Sequence, residues 1–384
     1  MIVAAVVGTG FIGPVHVEAL QRIGVRVQGI LGSSPEKSAR SAQQLGLSTA
    51  YRDYDQILAD PAVQVIHLTT PNRTHFPMAA AALEAGKHVI CEKPLAMNAA
   101  ETARLVTLSH QHPTLIAAVN YNLRFYPIIQ HARDLVLGGE LGELYTLRGA
   151  YLQDWLLYPS DWNWRLLPDE GGELRAIGDI GTHWMDLLGF VTGLRVESLL
   201  ADLETFISTR QRPREAVATF QSKEQAAPSN YDTIPIQTED WGAVLLHYRG
   251  GARGTLNVSQ INAGRKNQLT FEIAGSKGSL AWDSERPNEL WLGSRDQPNR
   301  HLLKDPSLLS ETARAYTSYP GGHNEGFPDT FKQLYRAIYG YIEKGDFSAP
   351  KPFPTFDDGD YEVQLCDAIL SSHRARRWVD MPQL

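Results

Sequence analysis

Two short stretches carry residue types able to move a proton. In Gly178-Asp179-Ile180-Gly181-Thr182-His183, Asp179 and His183 stand four apart. A helix starting near Asp179 sets both on one face, able to touch the same ligand. Histidine has an unperturbed pKa of about 6.5, suited to proton transfer at neutral pH, and a nearby carboxylate holds its charged form. Taken alone, the spacing is equally met by an aspartate capping a helix ahead of a core histidine. A metal site is not expected, because no third ligand stands at a recognisable spacing. The second stretch is Gly86-Lys87-His88-Val89-Ile90-Cys91-Glu92-Lys93-Pro94-Leu95. Its apolar run from Val89 to Cys91 reads as a buried strand that a charged pair and a proline stop. Ligands of open α/β sheets bind outside the carboxyl ends of the strands, which puts Glu92 and Lys93 at the mouth of a cofactor crevice. Proline fixes φ, removes a donor and admits a cis bond, leaving the lysine little freedom. By itself, a surface turn with a solvated ion pair also accounts for the stretch.

The element that would line such a crevice lies at the start of the chain. Ile2 to Val7 reads as a central parallel strand, and it flows into Gly8-Thr9-Gly10-Phe11-Ile12-Gly13. Gly8 allows the tight turn, Gly10 lets a pyrophosphate approach the backbone, and Gly13 permits close helix packing, with Phe11 and Ile12 completing the loop. Pro14 suits the first turn of a helix running toward Arg22. A second strand, Val25 to Leu31, ends where an acid would hold the ribose of NAD, yet the residues there are Gly32-Ser33-Ser34-Pro35-Glu36-Lys37. Room is left for a 2′-phosphate held by Ser33, Ser34 or Lys37, and Glu36 after Pro35 suits a helix start. NAD and NADP both remain open, with a lean to NADP.

Further βα alternation follows: a helix from Glu36 to Leu45, a short helix after Asp53, and a strand from Val63 to Leu68 that Thr69-Thr70-Pro71-Asn72 ends. Helices over Thr74 to Ala85 and Asn98 to His110 and a strand from Leu115 to Val119 complete it. This is the rhythm of a doubly wound parallel sheet in an α/β protein, a Rossmann domain over 1–124 that closes after Asn120-Tyr121-Asn122-Leu123-Arg124.

Composition sets the limits. A chain of 384 residues, 43% hydrophobic and 21% charged, has material for two domains with full cores. Its net charge of -7 speaks against a nucleic-acid partner. Cys91 and Cys366 make no disulfide framework, which fits a reducing compartment. With no positive segment ahead of Ile2 and no apolar run long enough for a bilayer, a cytoplasmic protein without membrane association is expected.

From 125 to 384 the strands alternate polar and apolar residues, over Glu143 to Leu152, Trp241 to Tyr248, Ala252 to Ser259, Gln268 to Ala274, Gly278 to Asp283 and Glu289 to Leu292. That patterning predicts an α+β domain with a large, mostly antiparallel open sheet, one face on helices and the other free to pair in a homodimer or homotetramer. Residues 205–240, interrupted by Pro213, Pro228 and Pro235, read as a long loop. Tyr151-Leu152-Gln153-Asp154-Trp155 and Asp161-Trp162-Asn163-Trp164-Arg165 mix indoles with hydrogen-bonding groups. If Trp162 and Trp164 lie in an extended segment they share a face and offer apolar platforms for a sugar, although tryptophans also fill cores. His323, in a glycine-rich loop with Asn324, is a further candidate for the site.

The glycine fingerprint at Gly8, the run Thr70-Pro71-Asn72-Arg73-Thr74-His75 and the stretch Gly86 to Leu95 resemble the Gfo/Idh/MocA oxidoreductases, over nearly the whole chain. The resemblance implies that Lys93 stands beside the nicotinamide and the reacting hydroxyl. It implies cofactor contacts from Thr70, Pro71, Asn72, His75, Glu92 and Asn120, and it matches Asp179 and His183 to a catalytic aspartate and histidine. Arg124, Tyr151, Gln153, Trp162, Trp164, Arg165 and His323 are the expected substrate contacts. With Asn262-Ala263-Gly264-Arg265 and Phe271-Glu272-Ile273-Ala274-Gly275, the tryptophan-rich run resembles the family's glycoside dehydrogenases. The implied activity is NAD(P)-dependent oxidation of a secondary hydroxyl of a pyranose, anhydrosugar or glycoside to a ketone, with a small sugar or polyol as partner. An inositol dehydrogenase, or a non-catalytic regulator sensing dinucleotide or sugar, are the alternatives.

Overall fold

Apolar residues in short β-branched runs build the first sheet. Val3–Val7 (β1), Arg26–Leu31 (β2), Thr49–Ala50 (β3), Val65–Leu68 (β4), His88–Cys91 (β5) and Ala117–Val119 (β6) pair in the order β3-β2-β1-β4-β5-β6. Every pairing is parallel. The chain order reverses beside β1, so the crevice of such a sheet opens at the carboxyl ends of β1 and β4. The crossovers are Ile12–Arg22 (α1), Pro35–Gln44 (α2), Tyr54–Ala59 (α3), His75–Glu84 (α4) and Ala99–Gln111 (α5). Ser34, Asp53 and Asn98 cap α2, α3 and α5 by accepting from backbone N–H groups three residues on, which is why these helices start where the sequence places them.

The computed structural model describes residues 2–214 and 230–382. By packing, Met1–Asn122, Asp169–Gly172 and Pro328–Gln364 form one unit, and Leu123–Pro168, Glu173–Phe327 and Leu365–Leu384 the other. In the first, Val7, Leu68, Cys91 and Val119 share a core with Phe356, and Val119 N–H donates to the Pro354 carbonyl at 3.1 Å. Among the described residues no helix is long and apolar enough to cross a membrane.

The second unit is built on nine strands, in spatial order Arg300–Leu303, Glu289–Gly293, Ser279–Asp283, Gln268–Gly275, Leu144–Leu152, Arg253–Ser259, Trp241–Tyr248, Val196–Glu204 and Val379–Asp380. Only the pairing of Leu144–Leu152 with Arg253–Ser259 is parallel. Val244, Leu246, Leu256, Val258, Leu269, Phe271 and Ile273 are buried at alternate positions. Trp184, on helix Thr182–Thr192, donates from Nε1 to the Thr270 carbonyl at 3.0 Å. Gly149 makes room for that indole, since a Cβ there would stand 2.4 Å from Trp184 Nε1.

The 205–240 segment differs from the expected loop. Thr209–Pro213 pairs antiparallel with Tyr231–Pro235 as a two-stranded ribbon. Pro213 and Pro235 sit at strand ends, where a missing donor does little harm. Residues 215–229, with Pro228, lie outside the described residues. Arg210 pins the ribbon: its guanidinium donates to the Leu156, Tyr158 and Asp161 carbonyls and to Asp240. Arg175 donates to the same Asp240 carboxylate, and all three side chains are fully buried. Burial and the Arg175 charge bring the Arg210 pKa down to about 10 against the pull of Asp240. Removing one partner of a buried pair strands the other charge, a loss of about 3–5 kcal/mol. Asp240→Ala is therefore expected to shift the urea unfolding midpoint of this unit strongly downward, and an unchanged midpoint would refute the role given to the triad.

Candidate functional site

The first unit supplies a dinucleotide cradle. Gly8 has φ 120°, and a Cβ there would meet Thr69 Oγ1 at 2.3 Å and the Thr69 carbonyl oxygen at 2.5 Å. A Cβ on Gly13 would stand 2.1 Å from the Gly8 carbonyl oxygen, so α1 leans directly on the turn. Gly10 has nothing within 4 Å of its Cβ position, the open approach that a pyrophosphate needs. Phe11, 49% exposed, gives α1 no side-chain cap, so the N–H groups from Ile12 onward can serve an anion. These residues fit a bound dinucleotide.

At the end of β2, Lys37 Nζ donates to Ser33 Oγ at 3.0 Å, and Ser34 Oγ accepts from Lys37 N–H at 3.3 Å. Ser34 is thereby engaged as a helix cap. Its hydroxyl also holds the Glu36 carboxyl below the ordinary glutamate range, leaving that acid exposed in the first turn of α2. Beyond β4, Pro71 leads into the turn Asn72–Thr74, and Thr74 Oγ1 donates to Thr70 Oγ1 at 2.7 Å. Asn72 Nδ2 donates to the Gly171 carbonyl at 2.7 Å. His75 is fully buried between two carbonyls, Nδ1 at 2.8 Å from Pro94 and Nε2 at 2.9 Å from Thr70. It ties the loop after β4 to the loop after β5.

Glu92 follows β5 and is 8% exposed. Its Oε1 meets His16 Nε2 at 3.1 Å and accepts from Asn120 Nδ2, and its Oε2 accepts from Lys93 N–H at 3.2 Å. Asn120 Oδ1 in turn accepts from the Tyr335 hydroxyl at 3.2 Å. The Lys93-Pro94 bond is cis. Burial and the Glu92 charge push the neighbouring Cys91 thiol up, which leaves it inert. The sequence reading misses His16 and Tyr335 as site residues; His16 has a cue in its place three residues after the fingerprint, Tyr335 none.

In the second unit Asp179 sits in a π-helical turn, Ile177–Gly181, and the helix bearing His183 begins only at Thr182. The helix expected to start near Asp179 thus begins with this π-helical turn at Ile177. The cause lies in Glu239, whose carboxylate accepts from Arg175 N–H at 2.9 Å and Ile177 N–H at 2.8 Å and so anchors the turn. Burial pushes the Glu239 carboxyl up against the effect of those donors. Asp179 Oδ2 accepts from Gln260 Nε2 at 3.0 Å, and Oδ1 lies 3.2 Å from Arg165 Nε. His183 is 9% exposed, with the Tyr151 ring 6.2 Å away. The Tyr151 hydroxyl and Gln153 Nε2 both donate to Asn267 Oδ1, at 2.8 and 2.7 Å. Burial and the Asp179 charge push the Tyr151 hydroxyl up, so it stays protonated. The sequence thus points to Tyr151, Gln153, Arg165, Asp179 and His183 together, and misses Gln260 and Asn267, polar residues just beyond and just before strands with no motif to mark them.

Four other candidates make different contacts. Trp162 and Trp164 do not share an extended face, because Asn163 accepts from Arg165 N–H and caps the turn Trp164–Leu166. Trp162 packs instead on Trp155, Leu156, Leu166 and Ile236, while the Arg165 guanidinium lies 4.4 Å over Trp164. Arg124 grips Asp186 through two nitrogens, bracing the His183 helix from its next turn. His323 is exposed, its Nδ1 3.3 Å from the Gly321 carbonyl oxygen, and its own carbonyl accepts from the buried Lys304 Nζ. Among the described residues no group of three His, Cys, Asp or Glu side chains is arranged to hold a metal ion.

A parallel sheet with this glycine cradle, followed by an open-sheet unit carrying an Asp and a His, defines a nucleotide-dependent oxidoreductase class. Residues 2–121 match the model of the oxidoreductase family with NAD-binding Rossmann fold, and 129–281 that of the GFO/IDH/MocA C-terminal domain. The chain is 30% identical over 399 residues to levoglucosan dehydrogenase of Pseudarthrobacter phenanthrenivorans, covering 98% of this chain and 97% of that one. It belongs to the Gfo/Idh/MocA family of oxidoreductases. A structure of levoglucosan dehydrogenase in complex with NADH and levoglucosan superposes with a TM-score of 0.88 at 27% identity, over 100% of both chains. An inositol dehydrogenase homologue from Azotobacter vinelandii, complexed with NADH and myo-inositol, gives 0.85 at 27% identity, over 99% of this chain and 97% of that one.

Proposed function

We propose that the protein is an NAD(P)-dependent dehydrogenase that reversibly oxidises a secondary hydroxyl of a pyranose, anhydrosugar or glycoside to a ketone. The observation that carries this is the carboxylate of Asp179, fixed by Gln260 and Arg165 one turn ahead of His183. The likeness to levoglucosan dehydrogenase along the whole chain supports the substrate class. Residues 1–124 are assigned to the dinucleotide and 125–384 to the sugar. When bound, the dinucleotide supplies the hydride acceptor. Lys93 orients and polarises the reacting oxygen, His183 takes its proton, and Asp179 steadies the imidazole. Tyr151, Gln153 and Arg165, already held by neighbouring side chains, offer hydrogen bonds to the other hydroxyls. Oxidation of a cyclitol is the second reading, favoured by the likeness to the inositol dehydrogenase homologue bound to myo-inositol.

A positioned base contributes typically about 10²–10⁴-fold, about 3–5 kcal/mol of barrier, whereas dinucleotide affinity depends on the glycine loop and ribose contacts. His183→Ala should lower kcat by about that factor while dinucleotide affinity stays within a few-fold. Wild-type oxidation should lose rate on the acid side, since only the unprotonated imidazole accepts a proton. Nicotinamide absorbance over a panel of sugars and polyols checks both. Wild-type turnover by His183→Ala would remove the base from His183, and tight dinucleotide binding with no turnover of any panel member would favour a regulator.

Cofactor choice is proposed to lean to NADP, because no acid follows β2 and Lys37 stands there with Ser33. Lys37→Glu should weaken NADP selectively in a fluorescence titration, and a clear wild-type preference for NAD would overturn the assignment. A homodimer or homotetramer formed through the exposed face of the nine-stranded sheet is also proposed, since alternate residues such as Leu245 and Leu303 are exposed there. Light scattering at micromolar protein should report at least a dimer; a strict monomer contradicts this.

A further inference from the structure

A chain of polar side chains crosses the core of the first unit and has no part in the roles above. His16, on α1, meets Glu92 Oε1 through Nε2 at 3.1 Å and His67 Nδ1 through its own Nδ1 at 3.0 Å. His67, on β4, meets the Tyr339 hydroxyl through Nε2 at 2.9 Å. Tyr339 belongs to helix Phe327–Lys344, as does Tyr335, which bonds Asn120 on the other flank of Glu92. His16, His67 and Tyr335 are fully buried and Tyr339 nearly so. Aromatic rings wall the chain: Phe331 and Tyr335 pack on His16, and Tyr335 meets His67 edge-on at 4.9 Å.

Few proton arrangements satisfy these links. Two Nδ1 atoms at 3.0 Å need one proton between them, so one donates and the other accepts. A Glu92 carboxylate accepts, which makes His16 Nε2 a donor. With one proton on each ring, His16 Nδ1 must accept, His67 Nδ1 must donate, His67 Nε2 must accept and the Tyr339 hydroxyl must donate. Burial and the neighbouring His16 hold His67 well below the ordinary histidine range, consistent with a single ring proton. The opposite polarity requires a second proton on His16 and so a cation in the core.

We propose that Tyr339, His67 and His16 form a relay of fixed polarity, Tyr339 to His67 to His16 to Glu92, that locks the Glu92 carboxylate. Through the N–H that Glu92 accepts, the relay holds Lys93 in its working orientation. These are positioning residues, and their functional part rests on the dehydrogenase reading. The relay passes through His16 on α1, the helix that follows the Gly10 loop, and ends on the residue before Lys93, so one chain ties the dinucleotide cradle to the lysine.

Nitrogen-15 NMR of the full-length protein with labelled histidine tests the polarity. His67 is expected as the Nδ1-protonated tautomer, the less favoured form of free imidazole, and His16 as the Nε2-protonated one. Signals are assigned through His67→Gln and His16→Gln, or through the slow exchange of buried ring protons where a variant does not fold. An Nε2-protonated His67, or a doubly protonated His16, overturns the relay. Tyr339→Phe removes one oxygen and keeps the ring, and should lower kcat by roughly 3–10-fold with dinucleotide affinity within about twofold. Loss of stability with kcat unchanged would mean a packing role only and overturn the positioning. A wild type that oxidises no sugar or cyclitol sinks the dehydrogenase reading alone. The tautomers then still decide the relay, and the Lys93 side-chain nitrogen signal, compared between wild type and Tyr339→Phe, reads its positioning without turnover.

Discussion

The close approach of α1 to the sheet is the constraint on which the first unit depends. Gly13 lies against the Gly8 carbonyl, and Gly8 against Thr69, at separations that leave no space for a Cβ. Any side chain there would lift the helix from β1 and β4. With the helix seated, its first turn faces the open space over Gly10, and three residues later His16 enters the core within reach of Glu92. The geometry that suits a pyrophosphate and the geometry that anchors the strand end before Lys93 therefore share one cause.

The second unit solves its positioning problem with buried charge. The π-helical turn around Asp179 opens on N–H groups that, as at the start of any helix, have no intrahelical acceptor. Glu239 accepts two of them, and Arg175 at the entry of the turn is fixed by Asp240, which also secures Arg210 of the ribbon. Such a cluster contributes little net stability compared with an apolar core of equal volume, but losing one member is costly, so it favours one geometry over its neighbours. That geometry presents Asp179 to Gln260 and Arg165.

These two solutions explain what was legible in the sequence. Five of the six parallel strands, their helices and the caps at Ser34, Asp53 and Asn98 follow from local rules, and their observed bounds fall within two residues of most expected ones, while the two-residue strand Thr49–Ala50 was missed. The glycine fingerprint was equally legible, since each glycine answers a local steric need. The strand Val196–Glu204 and the ribbon Thr209–Pro213 with Tyr231–Pro235 escaped notice because tertiary partners make them. A buried Arg210 and the neighbouring sheet compensate for polar and proline-rich sequence there. The tryptophan pair misled for a similar reason: one asparagine side chain, by capping a turn at Asn163, broke the extended run on which a shared face depended.

The residues that escaped notice also have a common physical character. Gln260, Asn267, Tyr335 and His16 form their contacts with residues far away in sequence, and each fixes the orientation of a group that the motifs do reveal. Motifs identify side chains able to meet a ligand, whereas orientation comes from partners chosen by the fold. A preorganised site needs both, because dipoles already in place when charge develops cost no reorganisation at that moment. Glu92 shows this most clearly. Its contacts to His16, Asn120 and the Lys93 backbone come from α1, from just past β6 and from its own neighbour, so the carboxylate cannot turn without breaking bonds in separate elements.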